Sequence, residues 1–113
     1  MEIEMNRQDD GVIVVRLIGR LDSLGADRIG ARFTAAVASS AQCVAIDLSG
    51  LSFLASLGIR LFIASGRALG QRGGRMVIFG ASELVAAVLD HVGIDQMIPI
   101  VGSEKEALDR LAG

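Results

Sequence analysis

Short apolar blocks run the length of the chain, separated by glycines and charges, and their internal spacing alternates between two periods. Residues 11–19 (GVIVVRLIG) form a β-branched run bounded by glycines, which predicts a strand. Ahead of it, Ile3 and Met5 suggest a shorter strand, paired with the first as a hairpin around Asp9, Asp10 and Gly11. Arg20, Leu21, Asp22 and Ser23 then break the pattern, and either Asp22 or Ser23 suits a helix N-cap. From Leu24 to about Ser39, apolar Ile29, Phe33, Ala36 and Val37 recur at helical spacing.

Residues 43–48 (CVAIDL) predict a second long strand with both faces buried, ended by Ser49 and Gly50. Residues 51–55 (LSFLA) read as an apolar connector lying against the core. A helix follows from about Ser56 to Gln71, with Leu57, Leu61, Ala64 and Ala68 as its core stripe and Arg60 and Arg67 on another face. Gly73 and Gly74 stop it. Residues 75–80 (RMVIFG) predict a further strand, and Ser82 caps a helix through Asp90 with Val85, Val88 and Leu89 inward. Residues 97–101 (MIPIV) predict a short last strand, which Pro99 confines to an edge. Ser103 with Glu106 forms a capping box that opens a final helix through Leu111.

The order is β-β-α-β-α-β-α-β-α. After the hairpin, strands and helices alternate, which predicts an α/β fold: a mostly parallel sheet of about five strands flanked by four helices, in one domain over residues 1–113. No linker, low-complexity segment or internal repeat is evident at this level.

Composition narrows the function. Half of the residues are hydrophobic, but only four are Phe and there is no Trp or Tyr, so stacking platforms for single-stranded nucleic acid are poorly supplied. The net charge is −2 with scattered basic residues, which gives no nucleic-acid footprint. Cys43 is the single cysteine and His91 the single histidine, too few for a disulfide or a usual zinc set; a reduced, cytoplasmic setting is the simplest expectation. The first ten residues are polar and acidic, so no secretory signal is expected, and no apolar run reaches the roughly 18–20 residues of a membrane span.

Candidate chemistry is sparse. His91 falls near a predicted helix end without the partners a catalytic histidine needs, and Cys43 opens a buried strand as a small core residue would. Asp47 ends an apolar strand, where its carboxylate suits capping the backbone of residues 48–50 better than ligand binding. Gly66, Gly70, Gly73 and Gly74 follow a helix and precede a strand, the reverse of a phosphate-binding loop. No catalytic set, cofactor site or metal site emerges. The informative stretch is Asp47 to Arg60, where a buried strand gives way to an apolar segment and a serine at a helix start. Ser56 has two readings: its hydroxyl caps a backbone N–H, or it carries a phosphate, which the helix N-terminus would tolerate while about two negative charges alter the surface around Phe53, Leu54 and Leu57.

Several segments together resemble the STAS domain family. Residues 17–22 (LIGRLD) are similar to the family's L-x-G-x-L-D, residues 44–53 (VAIDLSGLSF) to its apolar run followed by D-L-x-x-L-x-F, and residues 55–60 (ASLGIR) to its D-S-S-G-L segment. Residues 73–78 (GGRMVI) fit its glycine-led strand. The resemblance implies a mixed sheet flanked by helices and, for the anti-sigma factor antagonist type, partner switching. In such systems the unphosphorylated antagonist binds an anti-sigma factor that is itself an ATP-dependent serine kinase, a sigma factor is released, and a serine phosphatase resets the cycle. Carried over, the phosphorylated serine is Ser56, and partner binding falls on Asp22, Ser23, Phe53, Leu54, Ala55, Leu57, Gly58 and Arg60. Two positions depart from the family: Ala55 stands in place of the acid and Leu57 in place of the second serine. A non-phosphorylated STAS subunit of a transport or signalling complex is the alternative, with Ser56 only a cap; a small nucleotide- or lipid-binding domain ranks below it.

Overall fold

The computed structural model describes residues 1–8, 10–38 and 42–112. Five strands and four helices alternate as expected: β1 (Glu2–Arg7), β2 (Ile13–Leu21), α1 (Ser23–Ala38), β3 (Cys43–Leu54), α2 (Ser56–Gln71), β4 (Arg75–Phe79), α3 (Glu83–Val92), β5 (Ile100–Val101) and α4 (Glu104–Ala112). A one-turn 3-10 helix, Ile94–Gln96, precedes β5. The strands lie in the order β1-β2-β3-β4-β5. β1 and β2 are antiparallel and the remaining neighbours parallel. None of the described helices is long and apolar enough to cross a membrane.

Two apolar layers sandwich the sheet. Alternate residues of β2 and β3 (Ile13, Val15, Leu17, Val44, Ile46, Leu48) join Ile29, Phe33, Phe62, Leu69, Val85 and Leu89 from α1, α2 and α3. On the opposite face, Val12, Val14, Ala45, Val77 and Phe79 meet Ala107 and Leu111 of α4. Burial on both faces explains the unbroken apolar run that opens β3. In the hairpin, Gln8 N–H donates to Val12 O at 2.7 Å and Val12 N–H to Asp10 Oδ1 at 3.1 Å, with Gly11 in the left-handed region (φ 88°). Asp9 and Ser39 lie outside the described residues.

Caps follow the sequence closely. Asp22 caps α1, and Ser82 accepts the Val85 amide at 3.3 Å. Ser103 Oγ accepts the Glu106 amide at 3.2 Å and donates to its carboxylate at 3.3 Å. Beyond α2, Gly73 adopts φ 82°, which lets the Gly73 and Gly74 amides close on the Gly70 and Leu69 carbonyls.

Three expectations need correction. Ser49 and Gly50 do not end β3. They sit at one of two bulges against β2, and the strand runs on through Leu51–Leu54, the segment expected to be a connector. Strict alternation from Leu48 would turn Leu51 outward; the first bulge returns it to the core, and a second does the same for Leu54. Arg20 and Leu21, expected in a break, complete β2 for the same reason. Second, the stripe of α2 is offset by one residue. Gly58, Phe62, Ser65 and Leu69 are buried, with Ile59 beside them, while Leu57, Ala64 and Ala68 are exposed and Leu61 is half-buried. The spacing was right and the phase wrong, because Phe62, the largest apolar side chain of α2, claims the centre, where its ring lies 5.7 Å from that of Phe33 in α1. Third, the last strand covers only Ile100–Val101; residues 94–99 form the 3-10 turn and an approach in which Pro99 O accepts the Ile78 amide at 2.9 Å.

Among the described residues, one charged group lies inside. Asp47 is 2 % exposed, accepts the Ser49 amide at 2.9 Å and takes Arg16 Nε at 2.8 Å. Burial pushes its carboxyl up, but the Ser49 amide and hydroxyl and Arg16 outweigh that and hold it below the usual carboxylate range. A carboxyl lowered in the fold contributes stability above its unfolded value, about 3.9, and loses it as pH falls through the folded value. In urea unfolding, Asp47→Asn is therefore expected to lose more stability at pH 7 than at pH 3; equal losses would remove this role. The phase of α2 is tested by Phe62→Ala, expected to cost about 3–5 kcal/mol, against a smaller loss for Leu61→Ala.

Candidate functional site

β2 and β3 end side by side, with Leu21 opposite Leu54, and each turns at once into a helix. The Ala55 amide donates to Leu21 O at 2.9 Å and locks the two exits together. Seen this way, the chain carries a repeat after all. Residues 21–25 read LDSLG and residues 54–58 read LASLG. In both, the leucine of the strand is buried, the serine is the first residue of the helix and exposed, the second leucine is exposed, and the glycine is buried.

The glycines set the seating of the helices. A Cβ on Gly25 would lie 2.4 Å from Arg20 O, and one on Gly58 would lie 2.7 Å from Leu21 Cγ and Cδ2. Only hydrogen fits, so both helix starts rest directly on the strand ends. Leu24 is consequently lifted to 79 % exposure and Leu57 to 39 %.

The one differing position changes the chemistry. Asp22 accepts the Gly25 amide at 2.9 Å and lies 3.7 Å from Arg20 Nε. The Gly25 amide, with Arg20 adding, holds the Asp22 carboxyl below the usual range against a smaller desolvation effect. Arg20 also stacks on Phe53, 4.4 Å from the ring centroid. At the matching place in α2, Ala55 has extended backbone (φ −111°, ψ 173°) and no side chain to cap with. Ala55 O takes the Gly58 and Ile59 amides at 3.0 and 3.2 Å, and the Ser56 hydroxyl has no hydrogen-bond partner among the described residues. Ser56 does not cap α2.

The structure thus gathers Asp22, Ser23, Phe53, Ala55, Ser56, Leu57 and Arg60 at the paired helix starts. Arg60 lies one turn beyond Ser56, exposed. Leu54 and Gly58, expected among the contacting residues, are buried and support the face from beneath. Arg20 and Leu24 went unrecognised as part of it; comparing residues 21–25 with 54–58 is the signal that finds them. His91 lies on the last turn of α3 and Cys43 at the opposite end of β3.

These elements place the exposed Leu24 and Leu57 beside the Ser56 hydroxyl at the paired helix starts. The chain belongs to the STAS domain family, whose pattern residues 4–107 match. It is 30% identical to the anti-sigma F factor antagonist of Paenibacillus polymyxa, over 98% of this chain and 95% of that one. Among solved structures, an anti-sigma factor antagonist from Mycobacterium paratuberculosis matches with a TM-score of 0.90 at 26% identity, covering 99% of this chain and 94% of that one. The anti-sigma factor antagonist SpoIIAA in its unphosphorylated form gives 0.81 at 26% identity, covering 99% and 97%. The Bacillus cell fate determinant SpoIIAA in its phosphorylated form gives 0.72 at 25% identity, covering 96% and 98%.

The seating of the helices makes a direct stability prediction. Gly58→Ala is expected to lose about 1–3 kcal/mol through overpacking, whereas Gly30→Ala in α1, where an added Cβ meets nothing within 4 Å, is expected to gain up to about 1 kcal/mol. Denaturant unfolding of the two variants beside wild type checks both signs.

Proposed function

We propose that this protein is an anti-sigma factor antagonist that docks on an anti-sigma factor through the paired starts of α1 and α2, under the control of phosphorylation at Ser56. The observation that carries this reading is the exposed Ser56 hydroxyl, which has no hydrogen-bond partner among the described residues, at a helix start that no side chain caps. Ser82 and Ser103, by contrast, accept amides of their own helix starts. The similarity to antagonists, one of them solved with and without phosphate, supports it further.

The physical consequences follow from the site. A phosphate on Ser56 would meet the positive end of α2 and the unpaired amides of its first turn, with the Arg60 guanidinium one turn on as a counter-ion. The fold would accept it. The surface would not stay the same, since about two negative charges would stand beside Leu57 and Phe53 and oppose an apolar contact. In this scheme the anti-sigma factor is also the serine kinase, a phosphatase reverses the step, and the present protein is substrate and binding partner rather than enzyme. Release of a sigma factor to RNA polymerase places the work in the cytoplasm.

Intact mass after incubation with ATP and the anti-sigma-type kinase encoded nearest to this protein tests the reading. One phosphate increment is expected on wild type and none on Ser56→Ala, and Ser56→Asp is expected to bind that kinase at least about tenfold more weakly. An unmodified wild type under conditions where the kinase modifies another antagonist would overturn the phosphorylation claim.

A further inference from the structure

β1 is the long open edge of the sheet, since β5 at the other edge spans only 2 residues. The hairpin fixes which way its backbone points. Gln8 N–H donates to Val12 O, and the register with β2 runs unbroken from Arg7 opposite Ile13 to Glu2 opposite Ile18. Hydrogen-bonded pairs alternate along an antiparallel ladder, so Asn6, Glu4 and Glu2 turn their backbone groups toward β2. Ile3, Met5 and Arg7 turn theirs outward, and the Arg32 guanidinium, 3.5 Å from Ile3 O, meets one of them there. The outward groups of Met5 and Arg7 have no partner among the described residues. β1 also lacks a proline and a bulge, two devices that keep an edge from pairing.

We infer that β1 pairs antiparallel with β1 of a second copy of this chain, Met5 opposite Met5, so that one sheet runs through both copies. The backbone limits the registers: only odd-numbered positions offer outward groups, so they must pair with one another. Centring on Met5 sets Ile3 against Arg7 of the second copy and uses the outward groups of all three residues; Ile3 O keeps a second lone pair for the incoming amide. The side chains then select this register. Even-numbered residues meet at the closely spaced positions, Glu4 opposite Asn6 and Glu2 opposite Gln8, so each carboxylate receives a side-chain amide. In the neighbouring register, with Ile3 against Met5, Glu4 would face Glu4 of the second copy and like charges would repel. The acids that guard this edge against other strands are thus matched by its own sequence reversed. On the α1 side, Met5 is 47 % exposed at a recess lined by Ile13, Ala35 and Ala36, which gives two facing thioethers room to pack. This pairing uses no residue of the paired helix starts and is independent of the docking reading.

Sedimentation equilibrium of the full chain alone, at low salt and from about 1 µM to about 1 mM, tests the pairing. Wild type is expected to form a reversible dimer with a Kd of about 10–100 µM, the range of a small interface. Asn6→Glu sets a carboxylate against Glu4 of the second copy and is expected to weaken the dimer at least about tenfold, whereas Asn6→Lys is expected to tighten it about threefold. Met5→Pro removes the central outward N–H, which β2 does not use, and is expected to abolish the dimer. Glu83→Lys on α3 is the control, expected to stay within about twofold of wild type. Thermal unfolding checks that each variant is folded, and the two Asn6 variants decide the matter if Met5→Pro is not. A monomer at every concentration overturns the inference. So does a dimer indifferent to both Asn6 substitutions, since it must form through another surface.

Discussion

Everything at the functional end depends on how far β2 and β3 stay paired. Eight residues of β2 find partners in β3, and the ladder survives two bulges to reach Leu21 and Leu54. Had β3 ended at Ser49, as its local turn chemistry suggests, α2 would begin far from α1. The bulges instead bring a core-facing leucine to the last position of β3, opposite Leu21 of β2. The Ala55 amide then closes on Leu21 O, and the helices leave from adjacent points. Gly25 and Gly58 remove the clearance that a side chain would impose. Exposure of Leu24 and Leu57 follows from this seating, since the residue preceding a buried glycine is turned away from the support.

The ladder also explains what was legible in the sequence. Element order, strand polarity and caps could be read because each rests on local signals: β-branched runs, Asp22, Ser82, Ser103 and the Gly73–Gly74 pair. What could not be read depends on tertiary context. Ser49 and Gly50 have turn chemistry, and only the neighbouring strand converts them into a bulge; a Cβ on Gly50 would stand 3.1 Å from Ile18 Cγ1. The phase of α2 was missed because stripes one residue apart both offer apolar side chains, and only Phe33 across the helix pair selects Phe62. The candidate site was legible as a neighbourhood, through the motifs around Asp22 and Ser56. The division of labour within it was not, since Leu54 and Leu57 look alike in sequence while one supports the face and the other forms it.

Asp22 and Ala55 show how a near-repeat acquires two roles. The strand ends and glycine seats are the same, yet one helix start is closed by a carboxylate and the other is left open. The same carboxylate pairs with Arg20, which lies over Phe53 beside α1. At α2 the Gly58 amide bonds back to Ala55 O instead, and the Ser56 hydroxyl has no partner among the described residues.

The idle hydroxyl of Ser56 has an evolutionary consequence. It is bonded to nothing among the described residues, so the selection that keeps the fold does not keep the serine. On the proposed reading, regulation and scaffold are therefore inherited separately. On that reading, a lineage that loses the proposed kinase can drift at this position without unfolding. A family built this way should hold regulated and unregulated members on one backbone, with the core conserved by packing and residue 56 conserved only where something reads it.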